Sequence, residues 1–292
     1  MKVSGFTIAR NVVRADYPLE EAIRSIEPLC HEIIVAVGKS DDNTREFVQS
    51  LNIDKLIIIE TVWDDSLREG GKVLADETNK ALKACSADSD WLFYIQADEC
   101  IHENDYEKIV NAMTENLEDK NVEGLLFKYR HFYGSYDYLG DSRRWYNNEI
   151  RIIRNNSNIK SWKDAQGFRN LDNTKLKVVN TNAYIYHYGW VKHPKEQQIK
   201  QLQFHKLWHN DDYVAANIAT SEEFDYSMVD SLHQFKDEHP KIMVNRIQRM
   251  NWSFDIDPTK KNFGLKNRFL YWFEKVFNIR IGEYKNYILI KR

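Results

Sequence analysis

Short apolar runs, each stopped by polar residues, recur through the first third of the chain. Between them lie segments whose apolar positions return every three or four residues. The first pattern reads as buried strands and the second as amphipathic helices. The spacing predicts strands over 3–9, 32–37, 55–60 and 91–95. It predicts a helix over 18–26, opened by Pro18 and carrying Leu19, Ala22, Ile23 and Ile26 on one face. A second helix runs to about residue 51 from Asp41-Asp42-Asn43-Thr44, whose short oxygen side chains satisfy free N–H groups. A third covers 71–85. The β-α-β-α-β-α-β order predicts an α/β fold with a largely parallel, doubly wound sheet.

The pattern then changes. Strands are expected over 124–133, 150–153 and 176–187, with no helices of βα type between them. An aromatic, glycine-containing stretch joins the first two. This region reads as the second half of one sheet, with loops that form a substrate wall. From about residue 195 the chain turns helical and polar. Helices are expected over 196–209, from Ser221-Glu222-Glu223, and over 240–250. The boundaries that follow are 1–192 for the main α/β domain, split into halves 1–115 and 116–192, and 193–292 for a helical extension.

Composition narrows the class. Among 292 residues, 42% are hydrophobic and 29% charged, which is globular rather than disordered. A net charge of −3 argues against nucleic acid as a partner. Cys30, Cys85 and Cys100 are odd in number and form no CxxC pair, which argues against a disulfide framework or structural zinc and fits a reducing cytosol. The first residues enter a strand pattern without the apolar core of a signal peptide. No run approaches the roughly 18 apolar residues of a membrane span. Residues 260–292 hold nine Lys/Arg against two Glu, interleaved with Phe269, Leu270, Tyr271, Trp272, Phe273, Val276 and Phe277. That mixture either packs on the body with a solvated basic face or meets an anionic membrane peripherally.

Candidate chemistry centres on Trp91-Leu92-Phe93-Tyr94-Ile95-Gln96-Ala97-Asp98-Glu99. Five apolar residues stop abruptly at acids, and open α/β sheets place ligands at the carboxyl ends of their strands. A carboxylate there offers hard oxygen to Mg²⁺ or Mn²⁺, which completes its shell with substrate phosphates. Gly70-Gly71-Lys72 lacks Walker spacing but precedes a helix, so its backbone could approach a phosphate. Arg68 and Lys72 could contact a nucleotide from that junction.

Several segments together resemble the glycosyltransferase family 2 proteins of GT-A fold. Phe6-Thr7-Ile8-Ala9-Arg10-Asn11, Ser25-Ile26 and Glu32-Ile33-Ile34-Val35 look like the family's first βαβ unit. Ser40-Asp41-Asp42-Asn43-Thr44 resembles its S-x-D-G-T turn, and Trp91 to Glu99 its W-hydrophobic-D-A-D-E segment. Tyr186-His187-Tyr188-Gly189-Trp190 resembles a late histidine motif. The resemblance covers residues 3 to 192. Two positions depart from it. Val37 stands where the family carries an aspartate for the nucleotide base, and Gln96 replaces the first acid of its D-x-D.

The resemblance implies metal-assisted, inverting transfer from a nucleoside-diphosphate sugar to a hydroxyl of a glycan or lipid-linked glycan. Asp98 and His187 become the metal residues. Ala9, Arg10, Asn11, Asp42, Arg68, Lys72, Gln96, Ala97 and Asp98 become the nucleotide-sugar contacts. For the catalytic base, Asp164 lies in a loop-like stretch where related enzymes place their acid, with Glu149 second. Trp145, Tyr146, Arg151 and Trp162 are candidate sugar contacts, and Arg154 flanks the same strand as Arg151. Two rival readings remain: a sugar-phosphate nucleotidyltransferase, and a non-catalytic nucleotide- or glycan-binding module. The first is weakened by Ala9-Arg10-Asn11-Val12-Val13-Arg14, which has no glycine to grip a triphosphate.

Overall fold

A computed structural model describes residues 1–67, 69–218 and 221–291. The first half alternates as expected: β1 (Val3–Ala9), α1 (Leu19–Ile26), β2 (Glu32–Gly38), α2 (Thr44–Ser50), β3 (Leu56–Thr61), α3 (Lys72–Lys83) and β4 (Trp91–Tyr94). A short β5 (Glu99–Ile101) and α4 (Tyr106–Glu115) close it. There follow β6 (Gly124–Tyr133), β7 (Tyr138–Gly140), β8 (Asn148–Arg154), β9 (Ile159–Trp162), β10 (Gly167–Asn170) and the long β11 (Leu176–Trp190). The remainder holds α5 (Pro194–Lys206), α6 (Asp211–Asn217), β12 (Leu232–Gln234), α7 (Val244–Gln248), α8 (Leu265–Phe277) and β13 (Tyr287–Leu289).

One sheet runs β12-β7-β6-β8-β4-β1-β2-β3, and β11 joins it beside β6 while pairing β5 and β13. The β3-β2-β1-β4 half is parallel, and β8 enters antiparallel between β4 and β6. Most of the paired length is parallel. Strand alternation sorts the core into two layers. Ile33, Val35, Val37, Trp91 and Phe93 face α1, α2 and α4, while Ile34, Ala36, Leu92 and Tyr94 face α3 and the β9–β10 hairpin. Both faces of β2 and β4 are therefore covered, which is why their sequences read as unbroken apolar runs. Each fully buried Ile or Phe stabilises by about 1.5–3 kcal/mol relative to exposure.

The last hundred residues are more than a helical extension. β13 adds to β11 with Leu176 opposite Tyr287, and β12 pairs β7. No helix starts at Ser221. Its hydroxyl accepts the Glu223 N–H at 3.2 Å, a local turn that competes with helix initiation. The segment after Pro240 is a single 3₁₀ turn followed by the five-residue α7. All three cysteines are free thiols. Among the described residues, no helix is long and apolar enough to cross a membrane.

Candidate active site

The strand order reverses between β1 and β4, and a cleft of about 780 Å³ opens at their carboxyl ends. The loop leaving β1 forms one side. Asn11 sits at φ 53°, and its side chain accepts the Asp41 N–H at 2.7 Å while its own N–H reaches Ser40 Oγ at 3.0 Å. Asp42 is consumed in holding this loop. Its carboxylate accepts from the Arg14 N–H at 2.8 Å and the Thr44 N–H at 3.0 Å. Arg10, Asn11 and the neighbouring Asp41 line the cleft, whereas Asp42 and the buried Ala9 do not.

Trp63, beyond the end of β3, is a cleft residue that sequence reasoning missed. Arg10 lies 5.2 Å over its ring, and its buried indole N–H has no partner. Gly38 makes room for it, since a Cβ there would fall 2.2 Å from the indole nitrogen. The apolar Val37, buried in the sheet, lies next to that glycine in the chain.

The turn after β4 supplies Gln96, Ala97 and Asp98, all of which line the cleft. Glu99 points the other way. It is fully buried and paired with Arg151 through contacts of 2.7 and 2.8 Å, while Tyr129 donates to it at 2.7 Å. Its second oxygen takes the Gln96 N–H at 3.1 Å, so this ion pair fixes the turn from behind. Arg151 is therefore a core partner of Glu99 and not the sugar contact expected. Arg154 is spent on carbonyls after α4, including Leu117 and Val122.

Asp98 is buried and meets a cation from within the protein. Lys200 on α5 donates to Asp98 Oδ2 at 2.8 Å and to the Gly189 carbonyl at 2.6 Å. Burial alone would raise the Asp98 pKa, but the Lys200 ammonium beside it outweighs burial and holds the carboxyl below its usual range. His187 Nε2 stands 3.7 Å from Asp98 Oδ1. Its tautomer follows from its neighbours. His131 Nε2 lies 2.8 Å from the Tyr146 carbonyl and must donate to it, so His131 Nδ1 accepts from His187 Nδ1 at 3.2 Å. That leaves a lone pair on His187 Nε2. Burial keeps His187 below the ordinary imidazole range against the pull of Asp98.

Asp164 reaches the same cleft from the β9–β10 turn. Lys163 at φ 55° and Ala165 at φ 60° flank it, two left-handed non-glycine residues that cost roughly 1–3 kcal/mol each. Gln96 Nε2 donates to the Ala165 carbonyl at 3.3 Å and ties the two turns together. Burial raises the Asp164 carboxyl above its ordinary value, against backbone N–H contacts and Lys163. Glu149 is buried behind this turn and does not line the cleft. Tyr146 lines it, but Trp145 packs among His131, Tyr133 and Trp190, and Trp162 is covered by Lys163 and Arg169. Gly71 and Lys72 open α3 outside the lining, though Leu74 in its first turn reaches it. Arg68 lies outside the described residues.

A hard dication such as Mg²⁺ or Mn²⁺ draws its affinity from anionic oxygens. Among the described residues, no group of three His, Cys, Asp or Glu side chains could hold one. One Asp98 oxygen is taken by Lys200, Glu99 faces the core, and the Gln96 amide nitrogen is turned to Ala165. One carboxylate oxygen and one imidazole lone pair remain. This donor set does not fit a resident dication, so the metal expected at Asp98 and His187 meets a site already neutralised by an ammonium.

No protein-family model matches the chain, and no curated protein matches it. Solved structures are similar to it at low identity. S. aureus TarS is 15% identical, with a TM-score of 0.40 over 76% of this chain and 41% of its own. Glucosyl-3-phosphoglycerate synthase from Mycobacterium tuberculosis, in complex with Mn²⁺, UDP-glucose and phosphoglyceric acid, is 18% identical, with a TM-score of 0.31 over 44% of each chain. The 4-diphosphocytidyl-2C-methyl-D-erythritol synthase of Anaerococcus prevotii is 10% identical, with a TM-score of 0.34 over 53% of this chain and 70% of its own. The chain thus spans about two fifths of the first and under half of the second.

Proposed function

We propose that the chain is an inverting glycosyltransferase of GT-A type. It moves a sugar from a nucleoside-diphosphate sugar to a hydroxyl of a glycan or lipid-linked glycan. One observation carries the reading: two turns, tied by the Gln96–Ala165 bond, bring Asp98 and Asp164, the latter between the left-handed Lys163 and Ala165, to a single cleft at the sheet's switch point. Inverting transfer needs a carboxylate to take the acceptor proton and a separate charged group beside the leaving diphosphate. Asp164, its pKa raised by burial, is the proton acceptor. The Asp98 side of the cleft receives the diphosphate. Trp63 with Arg10 offers a flat, cationic surface for the nucleobase, in place of the acid that Val37 lacks.

The test is turnover of UDP-, GDP- and CDP-sugars by wild type and by Asp164→Asn. The variant should lose roughly 10²–10⁴-fold in kcat while binding the nucleotide as well as wild type does. Equal turnover by the variant removes Asp164 from the chemistry. Nucleotide binding without turnover by wild type favours the binding-module reading instead, and pyrophosphate release from a sugar phosphate and a nucleoside triphosphate favours the nucleotidyltransferase.

The acceptor side reads as membrane-proximal. α8 exposes Leu265, Phe269, Trp272, Val276 and Phe277, and the segment around it is basic. Apolar side chains beside lysines and arginines suit an anionic bilayer surface.

A further inference from the structure

We propose that Lys200 supplies the positive charge that meets the departing diphosphate, so that transfer proceeds without a divalent cation. The inference rests on the glycosyltransferase reading and goes beyond it. An ammonium has three N–H donors. Asp98 Oδ2 at 2.8 Å and the Gly189 carbonyl at 2.6 Å take two. Lys200 lines the cleft, with the Tyr17 ring 5.0 Å from its nitrogen. Among the described residues the third N–H has no acceptor, and it is left for a ligand oxygen.

The surroundings are built for this placement. A Cβ on Gly189 would fall 2.8 Å from Asp98 Oδ2 and 2.6 Å from the His187 ring, so only a glycine lets its carbonyl and the carboxylate share one ammonium. Lys192, fully buried, stands 4.5 Å from the same Tyr17 ring and donates to the Asp16 carbonyl; burial and then the Lys200 charge pull its pKa down to about 7, which leaves Lys200 as the cation at Asp98. Gln96 contributes no negative charge where an acid would draw in a metal. At this end of the cleft the Lys200 ammonium offsets Asp98, the carboxylate it touches, and keeps one N–H for an anion.

In the transfer step, the anomeric carbon bonds to the acceptor oxygen as its bond to the β-phosphate oxygen breaks. The acceptor proton passes to Asp164. The electron pair stays on the diphosphate, and the Lys200 ammonium meets the added charge, fixed in place before the reaction starts.

The experiment is calorimetric titration of the full chain with UDP, GDP and CDP, first in EDTA and then in MnCl₂. Wild type should bind its preferred diphosphate with the same Kd in both, within about twofold. Lys200→Met should bind at least tenfold more weakly in EDTA, and Lys200→Arg should retain most of the affinity. In Lys200→Met the Asp98 carboxylate is released, so Mn²⁺ should restore part of the binding and make the variant metal-dependent where wild type is not. Circular dichroism checks that each variant is folded. The double variant Asp98→Asn, Lys200→Met leaves no unpaired buried charge and should bind poorly in either buffer. Wild-type binding at least tenfold tighter with Mn²⁺, or Lys200→Met matching wild type in EDTA, overturns the proposal while leaving the glycosyltransferase reading intact. Failure of wild type to bind any of the three diphosphates in either buffer overturns both.

Discussion

Glu149 is an acid buried behind the cleft, and its replacement by glutamine separates a structural carboxyl from a chemical one. The side chain is 3% exposed and its Oε1 accepts one N–H, from Ile150 at 2.9 Å. Burial pushes its carboxyl from 4.5 up to about 7, with the Asp164 and Glu99 charges adding to the rise and Arg151 opposing it. Because the folded pKa is raised, the unfolded chain releases this proton first as pH climbs. The stability it contributes is full below about 4.5 and is lost as pH passes through about 7. The difference of 7 minus 4.5, at about 1.36 kcal/mol per pH unit, comes to about 3 kcal/mol as an upper limit.

Glutamine keeps the shape and the accepting oxygen but carries no charge at any pH. Glu149→Gln should therefore match wild type within roughly 0.5 kcal/mol near pH 4.5 and gain up to about 3 kcal/mol at pH 8. Urea unfolding followed by tryptophan fluorescence, repeated from pH 4.5 to 8, reads this directly through the midpoint. A difference that stays constant across that range would refute the assignment of the raised carboxyl to burial of Glu149. Turnover by the same variant at pH 7.5 should stay within about threefold of wild type, well short of the roughly 10²-fold loss of a missing catalytic base.

Three further perturbations test neighbouring claims. Arg151→Met strands the fully buried Glu99 and should destabilise by about 3–5 kcal/mol in urea, while Glu99→Gln with Arg151→Met recovers most of the loss; equal stability of the single variant and wild type refutes the pairing. Trp63→Ala should weaken UDP binding by about 1–3 kcal/mol, the worth of one base–aromatic stack, and an unchanged Kd by calorimetry removes Trp63 from the base site. Phe269→Glu with Trp272→Glu should abolish pelleting of the full chain with vesicles of mixed phosphatidylserine and phosphatidylcholine at low salt, and undiminished recovery in the pellet takes α8 out of any membrane contact.

Much of the sheet was legible because its strands are covered on both faces. Apolar residues run unbroken through 33–37 and 91–95 and end at polar turns, so the boundaries expected for β1, β2, β3, β4 and β6 fall within one or two residues of those observed. β5, β7, β12 and β13 span only three residues each, too few to show a period, and are fixed by partners far along the chain. α4 was readable and passed over, since Ile109, Ala112 and Met113 follow helical spacing. The helix expected at Ser221 failed because a side-chain oxygen that can cap a helix can equally close a local turn.

The candidate site divides along the same line. Asp98, Asp164 and His187 stand beside motifs and could be named from sequence. Lys200 and Trp63 could not, because each reaches the cleft only through the fold. Lys200 lies 102 residues from Asp98, inside a mostly polar helix whose large apolar residues are Ile199, Leu202 and Phe204. Gln197, Gln198, Lys200 and Gln201 are buried there without an apolar stripe to explain them. A helix that buries polar side chains instead of leucines must be facing polar groups or a ligand-bearing cavity, because burial without partners is costly. That pattern was the available signal for the cleft wall. On the proposed function, Lys200 at Asp98 Oδ2 and Trp63 packed on Gly38 take the parts that acids at positions 96 and 37 would have, each from an element that only the folded sheet brings near.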